Sequence, residues 1–161
     1  MKRHDQITVI GAGNGGKAMA AHMALLGHDV VLYNRTFDHV SIIAERGGIE
    51  LDFPGGLNGF GRIKLVTDNM EEALANSSLL MVVVPSTGHA DIARLAAPYL
   101  RDDHIVVLHP GRTLGAIEFA EVLRQAKVET LPLISEAETF IFASRSEGPN
   151  QVRIFRMKES V

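Results

Sequence analysis

Several short groups of residues in this 161-residue chain have the types and spacing that chemistry needs. The first is Gly11-Ala12-Gly13-Asn14-Gly15-Gly16, placed directly after the apolar run Ile7–Ile10. Gly11 suits a tight turn out of a strand. Gly13 lets a pyrophosphate approach bare backbone, and Gly16 lets a helix pack close to a sheet. The free N–H groups of a following helix would then face the phosphates. The second group is Asn34-Arg35-Thr36, closing the apolar run Val30–Tyr33. Asn34 lies 34 − 11 = 23 positions after Gly11, where NAD-specific folds carry an acid for the ribose 2′-hydroxyl. Here the acid is missing, and Arg35 offers a bidentate fork suited to a 2′-phosphate. The bland alternative for Arg35 is an exposed residue opening the next helix. The remaining groups are Val84-Pro85-Ser86-Thr87-Gly88-His89, His109-Pro110-Gly111-Arg112-Thr113 and Ser135-Glu136-Ala137-Glu138-Thr139. Each follows an apolar run.

Strand, glycine turn, helix and strand over 7–36 form one βαβ unit, the context in which G-x-G-x-x-G means a dinucleotide. Gly11, Gly13 and Gly15 also spell G-x-G-x-G, the pattern of methyltransferase loops for S-adenosylmethionine. Those loops usually carry an acid before the first glycine, and Ile10 stands there, so the dinucleotide is favoured.

The elements that must position these groups are legible as alternating strands and helices. A first helix is expected over 14–26, with Ala18, Ala21 and Leu25 on its packing face. A short helix over 38–46 stops at Gly47-Gly48. Ile49, Leu51 and Phe53 alternate with polar residues, as do Ile63 and Leu65, so an inserted surface hairpin is expected around the intervening glycines. A helix over 69–75 precedes a strand at 79–84, whose unbroken apolar run suits burial on both faces. A helix with Ile92, Leu95, Ala96 and Tyr99 on one face follows. A strand at 105–108, a helix using Phe119, Val122, Leu123 and Ala126, and a strand at 128–134 come next. A closing hairpin joins 140–144 to 152–157. The fold class expected is α/β: a Rossmann-type, doubly wound, mostly parallel sheet with an inserted β-hairpin and a C-terminal hairpin, in one domain over 1–161. In such a sheet ligands sit beyond the carboxyl ends of the strands, where all the groups above fall.

Bulk properties exclude other classes. The chain is 46% hydrophobic with net charge −3, which suits one cored domain and argues against nucleic acid. There is no cysteine, as fits a reducing cytoplasm. No apolar run approaches ~18 residues, so no membrane span is expected. The basic start, Met1 to Gln6, has too short an apolar sequel for a secretory leader. His22 and His28 read as solvated or locally hydrogen-bonded groups, with no ligand at metal spacing. His89 is tempting as an acid or base, but reads first as a local hydrogen-bonding residue. Arg112 could grip a carboxylate or simply be solvated.

With the motifs placed, the chain resembles the N-terminal cofactor domain of the octopine/nopaline (opine) dehydrogenase family. The carrying segments are GAGNGGKAMAAHMALLGHDV at 11–30, VPSTGH at 84–89, LHPGRT at 108–113 and SEAETF at 135–140. The glycine motif is shared with ketopantoate reductases and glycerol-3-phosphate dehydrogenases; HPGRT and SEAETF are more specific. The resemblance implies NAD(P) as cofactor, with NADP preferred over NAD on the strength of Asn34 and Arg35, held by residues 11–16, 34–36 and Val84, Pro85 and Ser86. It implies an amino acid and a 2-oxo acid as substrates, met by a cleft wall containing His109, Arg112, Glu138 and Thr139, and it allows a homodimer. The family keeps its catalytic His and Asp in a helical C-terminal domain, so no catalytic residue is expected here and this chain reads as one half of such an enzyme. The alternatives are a cofactor-binding sensor or scaffold module without chemistry, from another class, and the cofactor domain of a ketopantoate reductase- or glycerol-3-phosphate dehydrogenase-like enzyme.

Overall fold

The computed structural model describes residues 6–161; the reading of Met1–Asp5 lies outside them. A six-stranded parallel sheet forms the centre, in the order β5-β2-β1-β6-β7-β8. Its strands are β1 (Gln6–Ile10), β2 (Asp29–Tyr33), β5 (Leu65–Thr67), β6 (Leu79–Val82), β7 (Ile105–Leu108) and β8 (Leu133–Glu136). β1 pairs with β2 through Ile10↔Tyr33 and with β6 through Ile10↔Val82, so these strands end level. Every residue of β1 is buried, as its apolar run requires of a central parallel strand. Its one polar interior residue, Thr8, is satisfied: the hydroxyl donates to the Ala73 carbonyl at 2.6 Å and is hydrogen-bonded to Ser77 Oγ.

One sheet face carries α3 (Met70–Leu74), α4 (His89–Ala96) and α5 (Gly115–Gln125). Ile10, Val31, Leu80, Val82 and Leu108 meet Leu74, Ile92, Phe119 and Leu123 there. Asn69 caps α3, its Oδ1 accepting from the N–H groups of Glu71 and Glu72 at 2.9 and 3.3 Å. On α4 the buried face is Ile92, Ala93 and Ala96; Leu95 and Tyr99 are exposed, since the helix stops at Ala96 and Pro98 follows in a 3₁₀ turn. Ala126 likewise lies past the end of α5 and is exposed.

The other face carries α1 (Asn14–Leu25), and α1 is itself covered by a second sheet. That sheet has the order β4-β3-β10-β9, from β3 (Gly48–Asp52), β4 (Gly59–Arg62), β9 (Phe142–Gly148) and β10 (Gln151–Met157). The helix is therefore buried all round from Gly16 to Ala21, rather than along one stripe. Small residues make this close approach possible: a Cβ on Gly61 of β4 would stand 2.7 Å from the Ala21 carbonyl oxygen. A second short helix, α2 (Ser41–Arg46), ends at Gly47 in the left-handed conformation, with φ 75°.

Several sequence expectations shift. The inserted hairpin exists, but its second strand is Gly59–Arg62; Leu65 belongs to β5, which joins the main sheet beside β2. The hairpin is also no free surface feature, because β10 pairs with β3 in parallel and unites both hairpins into one layer. The strand expected at 128–134 is confined to Leu133–Glu136, because the chain first turns after α5 through Lys127 at φ 61°. The strand expected to reach Val84 stops at Val82, and α1 stops at Leu25 with Leu26 as its C-cap.

Candidate functional site

The loops that leave β1, β2, β6, β7 and β8 converge at one edge of the main sheet, because parallel strands deliver every carboxyl end to the same side. The glycine loop is the tightest part. Gly11 has φ +106°, and a Cβ there would stand 2.4 Å from the Val83 carbonyl oxygen. A Cβ on Gly16 would stand 1.7 Å from the Gly11 carbonyl oxygen. Gly15 faces the Phe140 ring, 2.9 Å from where its Cβ would be. Gly13 is different: a Cβ there would meet nothing within 4 Å. It is the N-cap of α1 and gives the helix no side-chain cap. A helix N-terminus with an open approach and uncapped donors is suited to an anionic group.

Asn34 ties the ends of β1 and β2 together. Its Oδ1 accepts from the Ala12 N–H at 3.2 Å, and its Nδ2 donates to the Thr36 carbonyl at 2.8 Å. Beyond it lies a cleft of about 470 Å³. Gly11, Asn34, Arg35 and Thr36 line one wall, and Val84, Pro85, Thr87 and Asp91 line the other. The Arg35 side chain is 71% exposed and its Nη1 lies 3.8 Å from Asp91 Oδ2. Asn14 turns its side chain away from the cleft, its Oδ1 accepting from the Ser146 N–H of β9 at 2.9 Å.

A second depression adjoins the first, lined by Ser86, His89, Gly111, Arg112, Thr113 and Glu118 among others. Ser86 therefore faces this depression rather than the cleft beside Arg35. Arg112 is exposed and holds φ 61°. The loop around it is strapped to β8: the Gly111 N–H donates to the Ala137 carbonyl at 3.0 Å, and Glu136 Oε2 accepts from the Ala116 N–H at 2.6 Å. That carboxylate sits where the first turn of α5 favours negative charge. Thr139 accepts from Lys158 Nζ, and Glu138 is exposed.

The histidines differ in their surroundings. His89 is fully buried, and the Pro110 backbone is the protein group placed to hydrogen-bond its ring. Burial lowers its pKa, opposed by Glu118 and Glu136. His109 lies edge-on to Phe140, ring centres 6.5 Å apart, and burial lowers its pKa too. His22 is half-buried on α1 and turns towards the second sheet, its ring centre 5.1 Å from that of Phe142. His28 is exposed, and among the described residues no cluster of His, Asp and Glu could hold a metal ion.

Sequence reasoning missed Asp91 and Lys17. Asp91 carried a faint signal, three positions before Arg94 on α4, to which it pairs at 3.0 Å. Lys17 carried a clearer one, standing directly after the glycine motif. It is buried, and its Nζ donates to the Gly148 carbonyl of the closing hairpin at 3.3 Å.

Residues 6–113 match the family described as NAD-dependent glycerol-3-phosphate dehydrogenase N-terminus. An opine dehydrogenase of Arthrobacter sp. strain 1C is 35% identical over 150 residues, covering 93% of this chain and 41% of that protein. The structure of octopine dehydrogenase in complex with NADH and agmatine superposes with a TM-score of 0.81 at 19% identity, over 95% of this chain and 40% of that one. A yersinopine dehydrogenase with NADP⁺ bound gives a TM-score of 0.78 at 16% identity, over 99% and 40%. The chain thus spans about two-fifths of the length of these relatives. It belongs to the family of NAD-dependent glycerol-3-phosphate dehydrogenase N-terminal domains, as an NAD(P)-binding domain of the opine-dehydrogenase-like kind.

Proposed function

We propose that this chain supplies the cofactor half of an NAD(P)-dependent opine dehydrogenase-like oxidoreductase. Such an enzyme joins an amino acid's amine to a 2-oxo acid and reduces the resulting imine. The observation that carries the cofactor site is the open space at Gly13, framed by two glycines whose surroundings are closed. That open approach at a helix N-terminus would admit a pyrophosphate. Residues 11–16 would hold the pyrophosphate. Asn34, Arg35 and Thr36 would hold the adenosine ribose, with NADPH preferred over NADH. Val84, Pro85 and Ser86 would lie towards the nicotinamide, which supplies the hydride when bound. His109, Arg112, Glu138 and Thr139 would form this half's wall of the substrate cleft.

The chain's own contribution is placement: rigid strand ends fix the loops, and geometry dominates hydride transfer. The buried His89 and the half-buried His109 are held towards the neutral form, so neither is a resident cation for the substrate's carboxylate. Arg112, exposed beside them, is the side chain suited to that task. The domain reading includes a cytoplasmic location, self-association as a homodimer, and catalytic acid/base residues on a partner domain. The test is direct titration with NADPH and NADH, followed by the fluorescence of the reduced nicotinamide. Saturable binding of at least one is expected; failure of both to bind overturns the proposal.

A further inference from the structure

We propose that Asp91 is a specificity-determining residue that restrains the preference for NADPH by competing with its 2′-phosphate for Arg35. The inference rests on the cofactor reading of the cleft. Asp91 reaches the cleft from α4, across from the end of β2, so it supplies a carboxylate to the region where the β2 end has none. Its two oxygens are divided between two arginines: Oδ2 lies 3.8 Å from Arg35 Nη1, and Oδ1 lies 3.0 Å from Arg94 Nη1. Arg94 is on the same helix, one turn on, and holds Asp91 in place independently of Arg35.

A dianionic phosphate entering beside Arg35 must therefore take that guanidinium from a carboxylate that stays nearby. The looseness of the Arg35 contact makes the exchange feasible. The fixed negative charge makes it unfavourable relative to a neutral partner. A ribose 2′-hydroxyl carries no charge and meets no such opposition. It can also donate to a carboxylate. Both partners are more than half exposed, so the effect is that of a screened interaction, about three- to tenfold in affinity.

The test is binding of NADPH and NADH to the parent chain, Asp91→Asn, Arg35→Ala and the double variant, by calorimetry at low and physiological salt. Thermal melting of each variant checks the fold, since Asp91 also sits in the first turn of α4. Asp91→Asn is expected to raise NADPH affinity about three- to tenfold, with NADH unchanged or weaker, and the gain should shrink with salt. In the Arg35→Ala background the gain should vanish. An unchanged or lower NADPH-to-NADH ratio in Asp91→Asn overturns the proposal, as does a gain that persists without Arg35. Loss of both cofactors' binding by the parent chain overturns the cofactor reading instead.

Discussion

Gly16 lies directly against Gly11: a Cβ on Gly16 would stand 1.7 Å from the Gly11 carbonyl oxygen, inside any allowed contact. The start of α1 is thereby locked to the exit of β1. Gly13, between them, has φ −71° and ψ −168°, a conformation open to any residue, and free space around it. Two glycines of the motif are thus required by the chain's own packing, and no contact within the chain requires the third.

This separation makes Gly13→Val a clean probe. The fold should survive, with a melting temperature close to the parent's. The isopropyl group should fill the pyrophosphate's place and abolish measurable cofactor binding in calorimetry. Parent-like binding by a folded Gly13→Val would move the site elsewhere. Gly16→Val, by contrast, is expected to fail at the level of folding.

Arg35→Ala is expected to lower NADPH affinity and leave NADH nearly unchanged. A charge-assisted hydrogen bond contributes on the order of 1.5–3 kcal/mol, roughly ten- to hundredfold. Asp91 nearby places the expected loss towards the lower end. Equal affinities of the parent chain for the two cofactors would contradict this and assign Asn34 to the ribose hydroxyl.

The 161-residue chain alone is expected not to turn over an amino acid and pyruvate with NADPH or NADH. Without a positioned acid/base, a loss on the order of 10²–10⁴-fold follows. The measurement is the absorbance of the reduced cofactor over a panel of amino acids. Steady turnover that His109→Ala or His89→Ala abolishes would show that the domain carries its own catalyst.

Acid should destabilise the fold from about pH 6.5 downwards. Burial lowers the pKa of His22, His89, His104 and His109 below the ordinary value of 6.5. Above pH 6.5 both states hold these rings mostly neutral, and stability does not depend on them. Below it the unfolded chain takes up protons that the folded chain resists, so stability falls as pH falls, until the lower folded values are passed. Melting temperatures between pH 8 and 5 should fall with acid. In His89→Leu, which keeps an apolar side chain of similar size, the fall should be shallower. A melting temperature flat across that range would show that these rings do not sense burial.

What the amino-acid sequence determined by itself is the part of the molecule made by neighbours along the chain. The run Ile7–Ile10, the glycines and the run Val30–Tyr33 specify β1, α1 and β2, because turn geometry and apolar periodicity are local properties. The candidate loops could be placed at one sheet edge for the same reason: unbroken apolar runs imply a parallel sheet, and parallel strands end together. Only the tertiary structure decided that the two hairpins form one sheet over α1. The Asn150 side chain donates to the Gly48 carbonyl at 3.4 Å, linking residues 102 positions apart, and nothing in the alternation of either strand names its partner. Burial of α1 on every side from Gly16 to Ala21 follows from that pairing, beyond the one face that Ala18, Ala21 and Leu25 mark out. Arg35 and Asp91 meet by the same kind of decision. Their separation across the cleft is set by how α4 packs on the sheet, and a pairwise electrostatic contact of this sort leaves no pattern in the residues between them.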